Sequence, residues 1–290
     1  MVTGIARQDT PARSHAKAAP ASGADMLRQV TVILAVLATV VVNYLATALP
    51  LAGRTTGDLA ARFPVEIQPA SYAFSIWGLI YLGLAGFTVY QALPAQRASP
   101  RLRRIGWLVV GTCVANIAWI FLWHYQQVAL SLVAMLALLS LLAAIYLRAR
   151  RDERPSPAER LLVLAPFSLY AGWITAASLV NTAVIVYDLD AAFWRANAVA
   201  FTIGLLAVAA LAGAVVGLTR ADPPYAAVLV WASVGVVVAN RDQAVLVAAA
   251  AAVAVVAVVS LALGFMRRAA RPDRAAAGAS GDGRGPSTMC

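Results

Sequence analysis

Between residues 30 and 265 the chain returns eight times to a long apolar run, and none of these runs holds more than one charged residue. No other feature narrows the fold as far. In hydrocarbon every backbone N–H and C=O must be paired within the protein, so only helices and closed barrels cross it. A spanning strand needs about 10 residues and a spanning helix about 20. Most of these runs have the second length, so the fold class expected is an all-α polytopic membrane protein. The spans read as 30–49, 70–91, 105–125, 128–147, 161–187, 193–218, 225–240 and 243–265. The seventh would rise only about 24 Å, which leaves a re-entrant hairpin as its alternative. Composition agrees, since only 12% of residues are charged, about half the usual share of a soluble domain.

The net charge of +10 invites a nucleic-acid partner. The basic residues, however, stand between apolar runs, where they set topology and meet anionic headgroups. Nucleic acid is therefore not an expected partner; the lipid bilayer is. Nineteen of the 23 basic residues fall on the side that holds both termini, against Arg54, Arg62, Arg195 and Arg241 on the other. The bias toward the inner face places both termini in the cytoplasm. All basic residues but Lys17 are Arg and Ala is abundant, which suggests a GC-rich bacterial genome and the cytoplasmic (inner) membrane. Residues 1–28 and 267–290 lack the large apolar side chains that fold a segment and read as disordered cytoplasmic tails. Ala46-Thr47-Ala48 resembles a signal cleavage site, but the run before it is long for a signal and is expected to stay as a helix. Cys113 in a span and Cys290 at the end predict no disulfide.

Three runs carry more than grease. Asn116, Trp119 and Trp123 lie at i, i+3 and i+7, with Cys113 one turn below. Phe74, Trp77 and Tyr81 repeat the spacing, and Trp173, Ala177 and Asn181 follow Tyr170 at helical intervals. Helical spacing puts each set on one face. Lipid satisfies neither an amide nor an indole N–H, so these faces meet other helices or a cavity. Two readings stand: a packed helix seam joined by hydrogen bonds, or the wall of a ligand pocket. Residues 51–68 are polar, hold Gly53 and Gly57, and are too long for a tight turn, so they can fold over the helix ends. Pro166 can kink the fifth span, and Gly213 with Gly217 permits a close helix contact.

Catalytic and metal motifs do not emerge. There is no GxSxG, HExxH or P-loop, and of two histidines His124 reads as a polar cap at the membrane surface. Leu142, Tyr146 and Arg148 fit the loose cholesterol-contact pattern that helix ends also produce by chance. No Asp, Glu or Lys lies deep in a span, which argues against ion-coupled transport.

Three of these stretches together resemble the TspO/MBR family, the tryptophan-rich sensory proteins and translocator proteins. Pro69, Trp77-Gly78 and Tyr81 look like the family's proline-to-WGxxY signature. Asn116 and Trp119 look like its LNxxW, and Trp173 to Asn181 resembles its W-x7-N. The order and helix placement agree. The family's first-helix WY is approximated only by Asn43-Tyr44, and its lid KP is not evident. Ser71 or Tyr72 stands where a Trp is usual, and Pro166 lies three residues further from Trp173 than the family's proline does. The resemblance implies a five-helix bundle over 29–190, lidded by the loop after the first helix. Three additional transmembrane helices over 191–266 would make this an eight-span branch. It also implies a cavity lined by Trp77, Asn116, Trp119, Trp173 and Asn181, with Tyr81 and Ala177 as neighbours. Family members bind porphyrins and haem, and some bind sterols.

The function expected is an integral membrane sensor or chaperone that binds a tetrapyrrole or similar flat apolar molecule. A porphyrin or haem would be its ligand and not a resident cofactor. The alternative is an uncoupled permease for a small apolar solute. An intramembrane enzyme is a third reading, for which no residue set specifies the chemistry; no catalytic or metal-binding residue is expected. A homodimer remains open as the oligomeric state.

Overall fold

A computed structural model describes residues 21–49, 53–54, 56–151 and 154–270, and among them there is no β-strand. The chain is an all-α polytopic membrane protein. Helix α1 (Gly23–Ala48) is followed by the short α2 (Thr56–Ala60), α3 (Ile76–Ala92), α4 (Pro100–His124) and α5 (Val128–Arg148). One turn, α6 (Pro157–Glu159), continues into α7 (Ala165–Leu189), and α8 (Ala191–Arg220), α9 (Pro223–Ala239) and α10 (Ala244–Ala269) complete the order. Among the described residues, seven helical segments are long and apolar enough to cross a membrane. The eighth, α9, is one continuous 17-residue helix and not a hairpin.

Local chemistry explains where the helices begin. Ser22 caps α1: its hydroxyl accepts from the Asp25 N–H at 3.3 Å, and the Asp25 carboxylate accepts from the Ser22 N–H at 3.0 Å. Residues 23–28, expected in the disordered tail, therefore belong to the first helix. Their polarity is spent on neighbours, since Arg103 donates to both Asp25 oxygens at 2.8 and 2.6 Å. Gln29 and Gln91 each donate from their side-chain amide to the other's backbone carbonyl, at 2.5 and 3.2 Å. At the other end α10 runs to Ala269, into the expected tail; the rest of both tails lies outside the described residues. Pro166 has no N–H to return to Leu162, and directly before it the helix widens into a π-turn at Arg160–Leu164, closed by the Ala165 N–H on the Arg160 carbonyl.

Gly213 and Gly217 do permit close approach. At Gly217 and Gly264, on α8 and α10, an added Cβ would strike Ser260 and the Gly217 carbonyl respectively. Helix α9 packs on α10 and on α7, so it joins the last helices to the earlier ones. Two sets of contacts fix it. At its first turn, Tyr146 OH, Arg150 Nη2 and Ser168 Oγ all donate to Asp222 Oδ2, at 2.8, 2.7 and 2.8 Å. The Arg150 guanidinium lies 3.7 Å over the Tyr146 ring. Leu142 and Tyr146 are thus core residues, and only Arg148 of the cholesterol-like pattern is exposed.

At the opposite end the last helices hold the segment that leads into α3. Trp194 Nε1 donates to the Glu66 carboxylate at 3.0 Å, and Asn240 Nδ2 to the Glu66 carbonyl at 2.8 Å. Trp231 Nε1 donates to the Ala73 carbonyl at 2.9 Å, and the Ala70 N–H to the Gly235 carbonyl at 3.0 Å. An apolar cluster continues the joint, where Leu59, Val65 and Ile67 pack with Trp194, Val236 and Val253.

Candidate functional site

The three polar-aromatic faces converge on one cavity of about 720 Å³, within the range of about 300–1,000 Å³ usual for small-molecule sites. Trp77 and Tyr81 of α3, Trp119 of α4, and Trp173, Ala177 and Asn181 of α7 all line it. Helical spacing makes each set collinear, and the aromatic contacts fix their angles. Trp77 stacks on Tyr81 with centroids 5.4 Å apart and meets Trp173 edge-on at 6.4 Å. Phe74, in the turn before α3, meets Trp173 edge-on at 5.7 Å. Trp119 and Trp123 stack 5.9 Å apart, tilted by only 18°.

Asn116 is the exception and does not line the cavity. It is fully buried behind the wall, accepting from Asn43 Nδ2 at 2.7 Å and donating to Tyr170 OH at 3.0 Å. The amide finds its partners across a helix seam, while Asn43 takes the place on the cavity face. Asn181 lines the cavity and is also paired, with Ser131 Oγ at 3.2 Å. The stripes thus include both a hydrogen-bonded helix seam, at Asn116, and a cavity wall, and Asn181 belongs to both.

Several wall residues escaped the sequence reading. Helix α1 contributes Asn43, Tyr44 and Thr47. Its Thr39, Asn43 and Thr47 are spaced four apart, the same signal used for the other faces, and it could have found them. Helices α8, α9 and α10 contribute Leu206, Ala232, Ser233, Val236 and Val253. Most of these are small or apolar residues that nothing in the sequence sets apart from core.

Over the cavity lies α2, with Thr56, Gly57 and Ala60, and Ala61 just after it, in the lining and Leu59 turned into the core. His124 is buried, not a surface cap. Its Nδ1–H donates to the Ile120 carbonyl at 2.9 Å, which leaves Nε2 to accept from the Thr56 hydroxyl at 3.4 Å. Arg62 Nη1 donates to Gln126 Oε1 at 2.8 Å. These two contacts tie the segment to the end of α4. Trypsin is expected to cut after Arg62 several-fold more slowly when the cavity is filled, as read by mass spectrometry of digests; equal rates at saturating ligand would make the segment a plain connector.

None of the described lining residues is charged. Three of its polar atoms are buried without a partner: Trp119 Nε1, Trp123 Nε1 and Gln68 Oε1. An unpaired buried donor or acceptor costs about 1–3 kcal/mol, so such a cluster on one cavity calls for an explanation.

In comparison with known families, a family model described as TSPO-like protein matches residues 29–263, from the first long helix into the last. No curated protein and no solved structure matches the chain.

Proposed function

This chain belongs to the TSPO-like protein family, and on that premise we propose that it binds a tetrapyrrole or a similar flat apolar molecule, as a sensor or chaperone. The observation that carries this reading is the convergence of Trp77, Tyr81, Trp119 and Trp173 on one uncharged cavity. Extended rings stack on indoles, and a few amides such as Asn43 and Asn181 orient a polar edge. The two helix sets, 29–190 and 191–266, act as one binding unit, because α9 supplies wall and α8 and α9 hold the segment above it. Asn116 serves at second hand, by fixing Asn43 and Tyr170.

One observation favours a permease. A smaller outer pocket of about 380 Å³ shares Ala61, Gln68, Pro69 and Ser71 with the cavity, so only a thin wall parts them. Binding by purified protein without flux into proteoliposomes supports the sensor; saturable flux supports the permease. Trp77→Leu is expected to fold and to bind protoporphyrin several-fold more weakly, since about 1 kcal/mol of ring contact is lost. Normal binding by this variant would move the ligand elsewhere.

We also propose that the protein sits in a bacterial inner membrane with both termini cytoplasmic. The motive is the 19-to-4 distribution of basic residues. Reporter fusions after Pro100 and at the C-terminus should read as cytoplasmic. A periplasmic C-terminus would mean that α9 does not cross.

A further inference from the structure

We infer that the molecule in the cavity carries a neutral hydrogen-bond donor, a hydroxyl or an N–H, and gives it to Asn43 Oδ1 on α1. This rests on the ligand-binding reading above and narrows the ligand's chemistry. Asn43 is 7% exposed and lines the cavity. Its Nδ2 spends both hydrogens inside the protein, on the Thr39 carbonyl at 2.8 Å and on Asn116 Oδ1 at 2.7 Å. The Thr39 carbonyl can only accept, so the amide nitrogen must face it, and the side chain cannot turn over. Asn116 in turn donates to Tyr170 OH at 3.0 Å, which fixes the rest of the chain. Among the described residues no group donates to Asn43 Oδ1. Trp119 Nε1 and Trp123 Nε1 also lack partners, but they are sealed in the packing, out of a ligand's reach. Asn43 Oδ1 keeps open surface, and the space beside Asn43 is the cavity.

Asn181 repeats the pattern from α7. Ser131 Oγ gives its one proton to the Val128 carbonyl at 2.7 Å, so it can only accept from Asn181 Nδ2, at 3.2 Å. The 3.4 Å approach of Ser131 Oγ to Asn181 Oδ1 is thereby left without a proton. Both asparagines of the wall therefore turn their nitrogens to the protein and leave an oxygen unspent. A bound molecule with no donor would cover Asn43 Oδ1 and leave it unpaired, which is costly. Charge limits what that donor can be. No carboxylate stands in the described lining, so an ammonium would be buried without a counter-ion. The ligand class that fits is a flat apolar frame bearing a neutral hydroxyl or N–H.

The test uses purified full-length protein and three flat probes of one frame. 1-Pyrenemethanol can donate and accept, its methyl ether can only accept, and 1-ethylpyrene matches the alcohol in size and does neither. Bound probe is read by absorbance after gel filtration, each affinity referred to that probe's partition into protein-free micelles. The alcohol is expected to bind about tenfold more tightly than either of the others. Asn43→Leu, which removes the acceptor, should bring the alcohol down to the level of 1-ethylpyrene and leave 1-ethylpyrene unchanged. An ether that binds as tightly as the alcohol overturns the inference, and so does an alcohol no tighter than 1-ethylpyrene. These comparisons need no variant and stand even if Asn43→Leu does not fold. A preference for the alcohol that survives in folded Asn43→Leu overturns it as well. If none of the three probes binds, the ligand-binding reading itself falls.

Discussion

Asp222→Ala is expected to destabilise the folded protein by about 3–5 kcal/mol, the cost of leaving a buried charge without its partner. Asp222 is buried, and its Oδ2 receives three donors, from Tyr146, Arg150 and Ser168. Its Oδ1 accepts from the Tyr225 N–H at 3.2 Å and so caps α9. Alanine removes all four bonds and strands the Arg150 guanidinium, whose side chain is only 15% exposed. Asp222→Asn keeps much of the geometry without the charge and should cost less. Adding Arg150→Leu to Asp222→Ala should recover part of the loss, because no unpaired charge then remains. Thermal unfolding in detergent, followed by circular dichroism, gives the order of the four proteins. A loss below about 1 kcal/mol for Asp222→Ala would class the contact with exposed ion pairs.

Filling the cavity should have the largest effect on binding. Ala177 on α7 and Ala232 on α9 both line it, from opposite helix sets. A phenyl ring at either place takes up space that a flat ligand needs. Each of Ala177→Phe and Ala232→Phe is expected to weaken porphyrin-ester binding by about a hundredfold or more, a loss of roughly 3 kcal/mol. The structural cost should be smaller at Ala177, which is only partly buried, than at Ala232, which is a buried core residue at the cavity's edge. The choice of Ala232 matters most. If only Ala177→Phe acts, the last three helices do not wall the site.

Much of this was legible in the sequence, for a physical reason. Hydrocarbon forces backbone pairing within each segment, so the length of an apolar run reveals the helix, and an Asn or Trp inside it must be turned away from lipid. That logic found Trp77, Trp119, Trp173 and Asn181. It could not tell a cavity from a seam, because Asn116 obeys the same rule and meets Asn43 and Tyr170 instead. It missed the start of α1, since Asp25 and Arg28 look like tail until Arg103 and Arg97 are brought beside them. It also missed the wall given by α8, α9 and α10. A Leu, Ala or Val beside a cavity carries no mark that distinguishes it from one in the core, and only the fold brings Ala232 to the same cavity as Ala177.

The central claim is that one cavity, walled by both helix sets, holds the ligand. Single cysteines at Ala177 and at Ala232, in a Cys113→Ala, Cys290→Ser background, can be titrated with a small methanethiosulfonate reagent. The measurement is the labelling rate of each with and without saturating protoporphyrin dimethyl ester. The account predicts that both thiols label in the free protein and that the ester slows both by a similar factor of about ten or more. Protection of neither thiol, or of Ala177→Cys alone, would contradict it.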